Sequence, residues 1–96
     1  MKTFYLLRHE DVHGRSGIGV VAEGIIFDSG MAAMTWLSKH STVTVFDKIK
    51  TVKDLHGHEG KTDVVVEGKD KRWEECRTEA RRIKTDLKRK AEEEKK

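Results

Sequence analysis

The chain has 96 residues, 35% of them hydrophobic and 39% charged, and a formal net charge of +3. That is material for one small domain, with a charged share too high for a chain that is core throughout. No apolar run is long enough to span a membrane, no cationic and apolar leader opens the chain, and one cysteine makes no internal disulfide, so a cytoplasmic protein is expected.

The charge divides the chain at about Gly68. Residues 1–68 carry a net charge of −1 and residues 69–96 one of +4, and all eight glycines lie at or before Gly68. Two parts are therefore expected: a domain over residues 1–68 that closes its own hydrophobic interior, and a charged amphipathic helix over residues 69–96.

Five short strands are predicted in the first part. Residues 3–8 are β-branched and aromatic. After an irregular polar loop over residues 9–17, residues 18–27 resume with Val20, Val21, Ile25 and Ile26, interrupted at Gly24. Asp28, Ser29 and Gly30 form a turn signal that pairs residues 25–27 with residues 31–37 as a hairpin. Residues 41–46 alternate, with Val43 and Val45 on one face and Thr42, Thr44 and Phe46 on the other; residues 62–67 repeat the alternation. Between these last two strands, Ile49, Val52 and Leu55 recur every third residue, which predicts a short helix held down by three apolar side chains. Asp47 is expected to cap its start, and Gly57 to take a left-handed conformation at its end. Curling the sheet would bury one face and remove its edges, so the expected fold is a mainly β, five-stranded, SH3-like half-open barrel with the short helix before the last strand.

The tail lacks Gly and Pro and is rich in good helix formers. Trp73, Cys76, Ala80, Ile83 and Leu87 are spaced 3, 4, 3 and 4, the seam of a heptad. Basic Arg77 and Lys84 flank one side of the seam and acidic Glu79, Asp86 and Glu93 the other, which favours a parallel homodimer over an antiparallel one. Packing of the seam on the chain's own sheet is the competing arrangement. Arg77, Arg81, Lys84 and Lys88 share a helical face and are the candidate nucleic-acid contacts, opposed by the acidic flank.

Chemistry-bearing motifs are few. His9, Glu10 and His13 match the zinc-peptidase pattern by letter, but glycines follow at once and the helix that such chemistry needs is not predicted. His56 and His58 flank Gly57 at the short helix's end, where a metal site would need a third ligand from elsewhere. Cys76 has no activating base in sight, and no cofactor motif is complete, so neither an enzyme nor a cofactor is expected.

Arg8, Glu10 and Asp11, the run from Ser16 to Gly24, Trp36, and the run from His56 to Thr62 form an ordered set. Over about residues 3–66 this set resembles a family of small proteins of phages, prophages and plasmids that carries no assigned activity. The resemblance implies an intracellular, mobile-element context, and that Arg8, Glu10, Asp11, Glu23, Trp36, His56 and His58 belong to the shared pattern. The expected function is a non-enzymatic binding or adaptor module that engages a host protein. Its site would be a polar one of Arg8, Glu10, Asp11, Glu23, Trp36, His56, His58 and Thr62. Nucleic-acid binding through the tail and metal binding at His56 and His58 are the alternatives.

Overall fold

A computed structural model describes residues 1–9, 19–57 and 60–94. Among them are strands β1 (Lys2–Arg8), β2 (Gly19–Ile26), β3 (Ala32–Trp36) and β4 (Val43–Phe46), helix α1 (Ile49–His56), strand β5 (Thr62–Val66) and helix α2 (Trp73–Glu94). Every pairing is antiparallel, in the order β4-β3-β2-β1-β5. The sheet is open. β4 and β5 are its two edges and do not pair with each other, so the expected closure into a barrel is absent among the described residues. Helices on both faces bury the side chains that closure would otherwise have had to bury.

The alternation of β1 sorts the interior into two cores. Phe4 and Leu6 point to one face, where they meet Val21, Ala22, Met34, Phe46, Val66 and Val52 of α1. Tyr5 points to the other and meets Val20, Val65, and Cys76 and Ala80 of α2, with Leu7, Leu37, Trp73 and Ile83 around them. A bulge makes the split possible in β2. Leu6 pairs with Ala22 but Leu7 with Val20, so Val21 is an extra residue, and both Val21 and Ala22 serve the α1 side.

The β2–β3 hairpin turns where expected. Phe27 N–H donates to Met31 O (2.8 Å) and Gly30 N–H to Phe27 O (2.9 Å), with Gly30 at φ +97°, a conformation that other residues rarely adopt. Gly24 answers a different need: a side chain there would run into the Phe4 ring and come within 2.7 Å of the Ala33 carbonyl oxygen.

Three expectations for α1 need correction. Leu55 is 60% exposed, while Ile49 and Val52 pack on the core. Each step of three residues drifts about 60° around a helix, so Leu55 has turned out of the buried stripe. His56 lies closer to that stripe and packs its ring edge-on against Trp36 and Phe46. The cap residue is Lys48, with no side-chain cap bond, because the Asp47 carboxylate accepts the Thr51 hydroxyl instead. Gly57 is right-handed (φ −70°) and continues the helical bonding to Lys53 O (2.9 Å).

The tail helix begins at Trp73. Asp70 stops the chain before it by accepting Arg72 N–H (3.0 Å), and Glu74 and Glu75 in the first turn suit the positive end of the helix. Its seam faces the sheet: Cys76 and Ala80 are buried against Tyr5, Val20 and Val65, which leaves that stripe occupied within the chain. Polar contacts fix the docking. Val20 N–H donates to Glu79 Oε2 (2.6 Å), Trp73 Nε1–H to Thr3 Oγ1 (3.1 Å), and Lys84 Nζ to Glu23 Oε2 (2.9 Å). No helix among the described residues is long and apolar enough to cross a membrane.

Candidate functional sites

The residues expected to form one polar site are divided by the sheet. Arg8 and Thr62 are register partners in the β1–β5 pair, on the α1 side. Both are buried, at 6% and 4% exposure, and neither Arg8 Nε nor Thr62 Oγ1 has a hydrogen-bond partner among the described residues. Trp36 and His56 lie on the same side, their ring centroids 5.3 Å apart and nearly perpendicular. Thr62 N–H donates to Gly57 O (3.1 Å), which ties the end of α1 to the start of β5. Glu23 belongs elsewhere. It is on the opposite face, beside Tyr5 and paired with Lys84, and burial together with the Glu23 charge pushes the Tyr5 hydroxyl above its ordinary pKa. Glu10, Asp11, His13 and His58 lie outside the described residues.

The basic face of α2 is partly engaged within the chain. The Arg77 guanidinium lies 5.6 Å from the centre of the Trp73 ring and 3.6 Å from Glu74, and Lys84 is held by Glu23, whereas Arg81 and Lys88 are exposed. Among the described residues no three His, Cys, Asp or Glu side chains converge as a metal site. Cys76 is buried, and that burial raises its thiol pKa.

Two features escaped the sequence reading. One is an ionic cluster at the β5 edge. His9 Nε2 lies 2.7 Å from Asp63 Oδ2, Arg72 Nη1 donates to the same oxygen (2.8 Å), and Arg72 also grips Asp70 through Nε (3.0 Å) and Nη2 (2.7 Å). The bonds from His9 and then Arg72 hold Asp63 below the usual carboxylate range, and those from Arg72 hold Asp70 at about 2. No sequence motif marks this cluster; it exists because β1, β5 and the turn before α2 meet there.

The other is an uncovered half-sheet. α2 packs chiefly on β1, β2 and β5, and among the described residues the same face of β3 and β4 is left largely uncovered. There Val43 is 70% and Val45 61% exposed, Phe27 and Met31 are also exposed, and Val45 sits opposite Ala33. An open hollow of about 330 Å³ runs beside them, between Tyr5, Glu23, Ile25, Ala33, Thr35 and Val43. The alternation of residues 41–46 was legible, but not which row would be left in water.

No curated protein and no solved structure matches the chain. Residues 1–67, the sheet together with α1, match the family described as Acb5 phage protein, and the chain belongs to that family.

Proposed function

We propose that this phage protein is a non-enzymatic binding module that engages a host protein through the bare half of its sheet, adding an extended strand of the partner to the free edge of β4. One observation carries the reading: Val43 and Val45 stand exposed, side by side, on an edge strand whose neighbours Ala33 and Ile25 continue the same apolar face. Proteins usually blunt a free edge with charge, proline or a covering element. Val43, Thr44, Val45 and Phe46 include neither a charged residue nor a proline. Strand addition would use the unpaired backbone groups of β4 for affinity and the alternating side chains for selectivity.

The test is capture of a partner from host lysate by the full chain, compared with Val43→Lys, Val45→Lys and the double variant Arg81→Glu/Lys84→Glu. Loss of capture in the valine variants, with unchanged far-UV spectra, supports the reading. Each buried valine is worth about 1.5–3 kcal/mol, so affinity should fall at least tenfold. Loss only in the double variant, with steep salt dependence, refutes it and points to nucleic acid on the basic face of α2.

A further inference from the structure

We infer that Arg8 and Thr62 form a binding site for a small oxyanion, a carboxylate or phosphate group, at the β1–β5 pair on the α1 side of the sheet. This goes beyond the proposed protein interface, which lies on the opposite face. A guanidinium is ionised at any pH a protein survives, and a buried charge needs a partner. Arg8 is buried on β1, which is paired on both sides, yet its Nε donates to no acceptor among the described residues. The second orphan is placed to act with it. Thr62 is its cross-strand partner, so the two side chains leave the sheet on the same face as neighbours. A cation with two parallel N–H donors and a hydroxyl that can donate a third bond make an oxyanion receptor.

Access and charge agree. Thr62 lines a hollow of about 360 Å³ together with Lys53, Gly57, Asp63, Val64 and Arg72. Lys53 and Arg72 line it against the single carboxylate of Asp63, which Arg72 already pairs, and Lys53 makes no ion pair among the described residues, so the lining is net positive.

The experiment titrates full-length ¹⁵N-labelled protein with inorganic phosphate, and separately with acetate, against chloride at constant ionic strength, following the Arg8 Nε–Hε resonance and the melting temperature. A saturable shift of that resonance with a rise in melting temperature is expected in the wild type; the rise should be absent in Arg8→Met, and both responses about tenfold weaker in Thr62→Val, which keeps the shape and drops the hydroxyl. Response to phosphate alone assigns a phosphate-type ligand, to acetate alone a carboxylate, and either supports the site. No saturable shift with either anion overturns it, and so does a response that survives in both variants. If Arg8→Met does not fold, the wild-type and Thr62→Val titrations decide alone.

Discussion

Deleting residues 69–96 should bring the remaining chain to the edge of unfolding, even though the family match ends at residue 67. Without α2, Tyr5, Val20 and Val65 lose their cover, and each is now almost fully buried. Side chains of this class contribute about 1.5–3 kcal/mol apiece on burial, so together they forfeit about 4.5–9 kcal/mol. Residual compactness of the unfolded chain lowers that by about 10–40%. Val20 N–H also loses the Glu79 carboxylate at 2.6 Å, although water can replace it once the strand is exposed. Domains of this size are stable by only about 5–15 kcal/mol in total, so the loss takes most of what there is. Urea denaturation followed by Trp36 fluorescence and far-UV circular dichroism checks this, with amide NMR dispersion as a second probe. The full chain should unfold in one sigmoidal step, and the fragment should show a midpoint close to zero denaturant or no cooperative step. A fragment with dispersed resonances and the midpoint of the full chain refutes the reasoning and makes α2 an appendage.

Glu79→Ala should cost about 1.5–3 kcal/mol, because it removes the charged acceptor of a part-buried backbone donor at the start of β2; the shift in urea midpoint measures it. The depressed pKa values of Asp63 and Asp70 give stability that is complete above the usual carboxylate pKa of about 4 and lost as pH falls toward 2. Urea midpoints between pH 5 and about 2 should trace this decline, and Arg72→Met should flatten it. Val52→Ala should cost about 2 kcal/mol while Leu55→Ser stays within about 0.5 kcal/mol, as thermal melts can show, since only Val52 is buried. Gly24→Ala should destabilise by about 1–3 kcal/mol or more, because the rigid Phe4 ring and the Ala33 carbonyl flank the new methyl group; urea titration against wild type decides.

Strand positions were legible because alternation and turn chemistry are local: the Asp28–Gly30 turn and the row of Val43 and Val45 are written in adjacent residues. What local pattern leaves open is which face of a strand meets which helix. Seam residues such as Cys76 and Ala80 have the same spacing whether they meet a second copy or the chain's own Tyr5 and Val20. The three-residue spacing of Ile49, Val52 and Leu55 likewise resembles a stripe until the drift of the helix is followed to its third member. Part of the polar set did assemble, since Arg8 and Thr62 are cross-strand neighbours and Trp36 meets His56. Glu23 did not join them, because the alternation of β2 sends it through to the other face, where it meets Lys84.

That Glu23–Lys84 pair divides the α2 face of the sheet into two halves. It lies where α2 leaves the sheet, between the covered strands and the bare ones, and beside the hollow that Tyr5 floors. On one side of it, apolar residues of α2 close over Val20 and Val65; on the other, apolar residues of β3 and β4 face water. A helix that continued across β3 and β4 would have buried Val43 and Val45, and the heptad of α2 still offers Leu87 for such a contact, yet beyond Lys84 the chain turns to Lys88, Arg89 and Lys90 and meets the sheet's periphery through Lys39 and Glu94. Stability favours covering that surface, and the partner strand proposed for β4 would cover what the helix leaves in water.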